Sequence, residues 1–189
     1  MKKHFSFIVL LAALLAFPAY TSYTYVTGYS SSTGTVRFTT KGPLGLIKAE
    51  SKKLSGSFDP EKKTFALTIP VASFEGFQNQ LQKKHYNEKY MESEKIPNAS
   101  FKGKVIEDID FKKEGSYAVR AKGMMNIHGV SKEIIVKSKM TVKNGQILVE
   151  SIFTVLLGDY DIKIPTIVSQ QVDENILVEV SMLLSTENK

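Results

Sequence analysis

The feature that most constrains this chain is an alternation of apolar and polar residues with period two, sustained through most of its second half. Tyr117, Val119, Ala121, Gly123, Met125 and Ile127 share one parity, while Ala118, Arg120, Lys122, Met124, Asn126 and His128 share the other. Successive side chains of a β-strand point to opposite faces, so this pattern predicts a strand over 116–128 with one buried and one wet face. After Gly129 it restarts, with Ile134, Val136, Ser138, Met140 and Val142 set against Ile135, Lys137, Lys139, Thr141 and Lys143. Asn144-Gly145 follows, and both residues accept the positive φ that a tight hairpin turn requires. Ile147, Val149, Ser151, Phe153 and Val155 mark the returning strand. Ile176, Val178, Val180, Met182 and Leu184 mark a last one.

The first half alternates less regularly, yet supplies four more candidates: Val36, Phe38 and Thr40; about 47–58; Phe65, Leu67, Ile69 and Val71 after Asp59-Pro60; and Ala99, Phe101, Gly103 and Val105. One helical segment interrupts them. Phe77, Leu81 and His85 recur at spacing four, with Gln78, Gln82, Lys83 and Lys84 opposite, and the segment ends near 87–91, before Ile96-Pro97 favours extended backbone. A further irregular stretch, 158–173, contains Pro165. Eight antiparallel strands in about 150 residues can close on themselves and leave no unpaired edge. The expected class is therefore all-β, an eight-stranded antiparallel barrel with one short helical segment near its mouth. A membrane-spanning barrel would be apolar outside and polar within. Lys102, Lys104, Lys137, Lys139 and Lys143 stand opposite the apolar faces and exclude that arrangement.

The N-terminus has a different character. Lys2 and Lys3 precede an apolar run from Phe5 to Phe17, closed by Pro18 and followed by small residues such as Ala19. This is the layout of a secretory signal peptide, and the run is shorter than the roughly 17 to 25 apolar residues of a membrane span. Phe17 is a poor residue three before a cut, which places cleavage anywhere from Ala19 to Tyr23. The expected organisation is a signal peptide over 1–20, a flexible Ser/Thr/Tyr/Gly-rich lead-in over 21–33 and a barrel domain over 34–189. The chain has no cysteine, which removes disulfides, thiolate metal sites and a lipidated N-terminal cysteine. Its net charge of +6 falls to +4 without Lys2 and Lys3. Only Arg37 and Arg120 are arginines, which argues against a nucleic-acid partner, because phosphate readers favour the bidentate guanidinium.

Catalytic signatures are missing. Outside the leader the histidines are His85 and His128, on different elements and without zinc-ligand spacing, and there is neither a phosphate-binding glycine loop nor a nucleophile elbow. Asp159 and Asp161 flank Tyr160 in a way that suits a turn or cap better than a divided acid–base pair. No catalytic residue, metal site or cofactor is expected, and the chain reads as a binding protein rather than an enzyme. Lysine groups are spread around the fold. Lys83, Lys84 and Lys89, with His85, sit on the segment that could cover a barrel mouth and are the candidates for a rim around a ligand's polar head. Inward apolar positions such as Phe38, Phe65, Phe101, Met125, Met140 and Phe153 suit either a plain core or a ligand wall. Alternation alone leaves both a filled and a hollow barrel open.

Three segments carry a resemblance. His85-Tyr-Asn-Glu-Lys-Tyr-Met-Glu-Ser-Glu-Lys-Ile-Pro97-Asn-Ala-Ser-Phe101-Lys-Gly103 resembles the helix and Lys-x-Pro-x-x-x-Phe strand of YceI-like proteins. Gly123-Met-Met-Asn-Ile127-His128-Gly129-Val130-Ser131-Lys132 is similar to that family's Gly-x-Leu-Thr-Ile-x-Gly-Val-Thr-Lys run, departing at Met125, Asn126 and Ser131. Phe153-Thr-Val-Leu-Leu-Gly-Asp159-Tyr160-Asp-Ile162 resembles its strand and Asp-aromatic-x-Ile turn. The resemblance implies a lipocalin-like barrel, export to the periplasm and a polyisoprenoid or similar lipid-like ligand inside. The ligand-contact residues expected on this basis are Phe38, Phe65, Leu67, Ile69, Phe77, Leu81, Phe101, Met125, Ile127, Val136, Met140, Phe153 and Val178. The competing expectation is a structural or stress-related partner-binding protein with a filled barrel.

Overall fold

The computed structural model describes residues 28–42, 45–164 and 173–186. The expected leader over 1–20 lies outside the described residues, as do 21–27 of the lead-in and 165–172 of the stretch around Pro165. The strands are β1 (Tyr29–Gly42), β2 (Gly45–Asp59), β3 (Thr64–Pro70), β4 (Asn98–Val105), β5 (Gly115–Ile127), β6 (Val130–Lys143), β7 (Gln146–Leu156) and β8 (Asn175–Thr186). Each pairs antiparallel with the next, and β8 returns to pair with β1, closing an eight-stranded barrel. The fold class is the one expected from alternation.

β1 starts earlier than composition suggested. Tyr29 already pairs with Phe58 and with Thr186, so 29–33 belong to the barrel rather than to a lead-in. The alternation is hidden there because the β1–β2 register shifts between Ser31 and Val36. β2 contains the matching irregularity: Ser51 faces Val36 and Leu54 faces Gly34, which places one extra residue on β2. This is a β-bulge, and it reverses the parity of the strand. Ala49 and Ser51 point inward before it, Leu54 and Phe58 after it. The Ser51 hydroxyl accepts a hydrogen bond from the Lys53 amide at 3.1 Å and holds the bulge.

Turns at the two ends of the barrel differ. One end has compact connections, including Asn144-Gly145, whose φ angles of 50° and 70° are those of the expected tight hairpin. It is also packed solid: Phe58 meets Phe111 edge-on at 4.8 Å, and Ile147, Val142, Met182 and Leu184 are buried around them. The other end carries the long connection 71–97 and the described parts, 157–164 and 173–174, of the connection from β7 to β8.

The first of these holds helix α1 (Gln80–His85), which Asn79 caps by accepting from the Gln82 amide at 2.8 Å. A single wider turn, Tyr86–Tyr90, prolongs it. The helix is where the sequence predicted it, but its inward face is rotated. Gln82, Tyr86 and Tyr90 face the interior, while Leu81 is 60% exposed. Phe77 precedes the cap, so counting in fours from it carries no helical phase, and the two tyrosines bury more apolar surface than Leu81 would. The second connection begins as a short helical turn, Leu157–Tyr160, and Asp161 follows in the left-handed region. The Asp-Tyr-Asp run is thus a turn, and Asp159 ion-pairs with Lys132 at 2.5 Å.

β4 and β5 cross closely where Gly103 pairs with Gly123. A Cβ on Gly103 would lie 2.1 Å from the Lys122 carbonyl oxygen, and one on Gly123 2.2 Å from that of Lys102. Backbone is on the other side of each contact, so neither neighbour can give way cheaply. Gly103→Ala and Gly123→Ala are each expected to cost roughly 1–3 kcal/mol through overpacking, read as a lower urea midpoint at unchanged slope. Gly158→Ala, with open space around its Cβ, is expected to stay near the starting midpoint.

Candidate functional site

The packed end forms the floor of a cavity of about 330 Å³ that extends toward the end carrying α1. The barrel is therefore filled at one end and hollow at the other. Phe58, Val105, Val119, Met140 and Leu184 make the floor; Phe65, Phe101, Met125, Val136, Phe153 and Val178 the walls; and Val71, Phe74, Phe77, Tyr86, Tyr90 and Met91 the roof. Of the residues expected to touch a ligand, Phe38, Phe65, Leu67, Ile69, Phe77, Phe101, Met125, Ile127, Val136, Met140, Phe153 and Val178 all line this space, and Leu81 alone faces solvent.

Other lining residues were not singled out from sequence. Leu54 and Phe58 were obscured by the β2 bulge. Val71 closes the alternation Phe65, Leu67, Ile69 but lies just past β3, and Phe74 sits in an irregular connection with no period to reveal it. Tyr86 and Tyr90, four apart in a helical segment, carried a signal that could have found them. Tyr86 is the centre of the roof: its ring lies 5.6 Å from Phe38 in a stacked arrangement and 5.0 and 5.9 Å from Phe77 and Phe74. Aromatic contacts of this kind contribute about 0.5–1.5 kcal/mol beyond the area they bury.

Polar groups on the cavity wall are few and uncharged. Thr40, Ser57, Thr68, Ser100, Ser138, Ser151, Gln82 and the two tyrosines supply them, and no ionisable acid or base other than those phenols lines the space among the described residues. The Ser151 hydroxyl donates to Ser138 at 2.7 Å, and Thr40 donates to the Asp173 carbonyl at 2.9 Å. The Tyr86 hydroxyl has no hydrogen-bond partner among the described residues. Burial pushes its pKa well above the usual phenol range, so it stays a neutral donor. An acceptor on a ligand could take this hydrogen bond.

The expected cationic rim does not border the cavity. Lys83 is ion-paired with Glu75, Lys84 lies 4.0 Å from Glu88, Lys89 is exposed and His85 is half-buried outside the lining. These side chains share the solvent side of the helix because their charges keep their hydration there. On the barrel's outer face Lys102, Lys104, Lys122, Lys137 and Lys139 alternate with the inward residues, an arrangement that lipid contact would penalise by roughly 2–4 kcal/mol per lysine at the bilayer centre. Among the described residues no helix is long and apolar enough to cross a membrane.

No curated protein matches the chain at the level of sequence. Solved structures do match. A polyisoprenoid binding domain from Saccharophagus degradans, implicated in plant cell wall breakdown, superposes with a TM-score of 0.71 at 13% identity, covering 85% of this chain and 99% of that one. BcnA of Burkholderia cenocepacia gives 0.67 at 16% identity, over 81% and 96% of the two chains. The Campylobacter jejuni YCEI protein gives 0.56 at 25% identity, over 76% and 86%. With residues 23–184 matching the YceI-like domain, the chain belongs to the YceI-like family.

Proposed function

We propose that this protein is an exported, non-enzymatic binding protein that holds a long, uncharged apolar amphiphile of the polyisoprenoid type inside its barrel, for carriage or sequestration. The observation that carries this reading is the cavity itself: apolar on nearly every side, free of charged side chains among the described residues, closed at one end and roofed by aromatic rings at the other. Small-molecule sites have this composition, mostly apolar with a few polar groups to fix orientation. The shared fold with a domain named for polyisoprenoid binding supports the ligand class. The leader pattern at Lys2, Lys3 and Phe5–Phe17 supports export, and sequencing the N-terminus of the protein recovered from outside the cytoplasm tests that step.

The cavity also argues for the character of the polar end. An ionised head drawn inside would lose its hydration with no cation among the described lining residues to replace it, a cost far above what one hydrogen bond returns. A neutral acceptor fits beside Tyr86, whereas an anionic head has to remain in water at the mouth. Affinity then comes from hydrocarbon burial, at roughly 25 cal/mol per Å² of apolar area.

Native mass spectrometry of protein purified without delipidation is expected to show a co-purifying apolar amphiphile; a barrel that stays empty in every preparation and binds no isoprenoid on titration contradicts the proposal. Val178→Gln, which sets an amide on the cavity wall, is expected to weaken binding of an isoprenoid probe about tenfold or more. Single Lys83, Lys84 or Lys89 to Ala changes are expected to shift it less than about twofold, as exposed charges do. Equal losses at both kinds of site in a fluorescence titration would contradict a cavity-driven affinity. Tyr86→Phe is expected to weaken a carbonyl-bearing ligand about three- to tenfold, the worth of one hydrogen bond, and to leave a pure hydrocarbon probe unaffected.

A further inference from the structure

The barrel wall is not zipped equally all round. β5 and β6 pair from Gly115 opposite Val142 to Ile127 opposite Val130, and β7 and β8 pair from Gln146 opposite Ser185 to Leu156 opposite Asn175. Between β6 and β7, pairing runs only from Lys143 opposite Gln146 to Ser138 opposite Ser151. Beyond that rung, toward the open end, 130–137 of β6 and 152–156 of β7 have no ladder with each other. Backbone groups left unpaired at a strand edge are the points where a sheet is most readily opened.

The segment after β7 fills this seam. Tyr160 and Ile162 pack with Val136 of β6 and Val155 of β7, and Leu157 and Ile162 reach the cavity itself. On the outer side the seam is flanked by Ile135 and Ile152, 54% and 66% exposed, on strand faces that otherwise carry mostly polar and charged residues. Two polar contacts tie the filler to the β5–β6 side. Nδ1 of His128 lies 3.2 Å from the Tyr160 carbonyl oxygen, and Lys132 pairs with Asp159 at 2.5 Å. The ion pair is nearly half exposed at both ends and contributes at most about 1 kcal/mol. His128 is better placed: its side chain is 15% exposed, and it sits at φ 51° in a two-residue hairpin with Gly129.

A second incomplete seam lies between β2 and β3, which pair only from Ser55 opposite Thr68 to Asp59 opposite Thr64. It is held more firmly. Glu50 and Glu75 exchange two backbone hydrogen bonds across it, at 2.8 and 2.9 Å, and the Phe38–Phe74–Phe77–Tyr86 cluster packs the covering segment onto the barrel.

We infer that the β6–β7 seam is a lateral gate through which a ligand's hydrocarbon chain slides into the cavity, with Leu157–Ile162 as the movable leaf and the His128–Tyr160 contact as its latch. This rests on the proposal that the cavity is the binding site, and adds the route into it. Sideways access suits a long chain, which can leave an apolar environment over Ile135 and Ile152 without being threaded end-on past the aromatic roof.

The chain contains no cysteine, so engineered thiols can be bridged selectively. Lys132→Cys with Asp159→Cys, joined by a short bis-maleimide, locks the leaf to β6; Glu50→Cys with Glu75→Cys, joined likewise, locks the β2 seam. Stopped-flow exchange of N-phenyl-1-naphthylamine, an uncharged fluorescent apolar probe, reads the outcome. Locking the leaf is expected to slow association and dissociation about tenfold or more with Kd within about threefold, while locking the β2 seam leaves both rates within about twofold. His128→Asn keeps the hairpin, because Asn-Gly is the preferred pair for positive φ at both positions, but is too short to hold the latch. It is expected to speed exchange severalfold at unchanged Kd and Tm. Exchange at the original rate with the leaf locked, or exchange stopped by the β2 lock instead, overturns the gate and leaves the binding reading standing. A probe that does not bind the unmodified protein overturns that reading and the gate with it.

Discussion

Everything in this structure depends on the closure of β8 onto β1. A sheet closed on itself has one inside, and each strand must then commit one parity of side chains to it. In this chain the inward residues are mostly apolar on every strand, with β2 changing parity at its bulge, so closure gathers the aromatic, methionine and branched side chains into a single interior. With eight strands the diameter allows either full packing or one enclosed ligand. Which results is decided by how side-chain volume is distributed along the axis. Phe58, Phe111, Ile147, Met182 and Leu184 crowd one end, while serines and alanines such as Ser138, Ser151, Ala99 and Ala121 leave room toward the other.

The same closure sorts charge. Lysines on the outward parity keep their hydration, and the inward parity is left with hydroxyls and one helix-borne amide. Among the described residues the interior therefore has neither a cation to hold an anion nor a cluster of ionisable groups to move protons. Tyr86 stands out within it because desolvation alone accounts for its raised pKa, which marks a polar atom placed in an apolar surrounding. Recognition in such a site has to come from shape and apolar area, with single hydrogen bonds deciding between otherwise similar ligands.

How much of this was legible in the sequence followed how strictly each segment kept a period. β5 to β8 alternate almost without interruption, and their inward residues, including Met125, Val136, Phe153 and Val178, could be read directly. β1 and β2 could not, because one bulged residue after Ser51 reverses parity and hides Leu54 and Phe58 among lysines. The helix was legible as a helix but not in its rotation, since Phe77 lies outside the helical phase and drew Leu81 onto the wrong face. The lysine rim failed for a related reason: proximity in sequence to the mouth does not say which side of a covering helix faces inward. Hollowness was beyond alternation altogether, because it is a sum of volumes and not a pattern.

The His128-Gly129 turn shows local chemistry and long-range packing meeting at one residue. An Asn-Gly pair closes the β6–β7 hairpin and meets every requirement of a tight turn. The β5–β6 hairpin takes the same positive-φ conformation with histidine in the first position, one of the side chains enriched in that region. Local propensity admits the residue, and its contacts distinguish it from the Asn of the other turn: the ring reaches the Tyr160 carbonyl and lies 3.5 Å from the Glu92 carboxylate. It thus touches both long connections of the open end, the one that roofs the cavity and the one that fills the seam. Because the turn conformation alone would admit Asn-Gly equally well, the histidine is more economically read from the two connections it joins than from the folding of the hairpin.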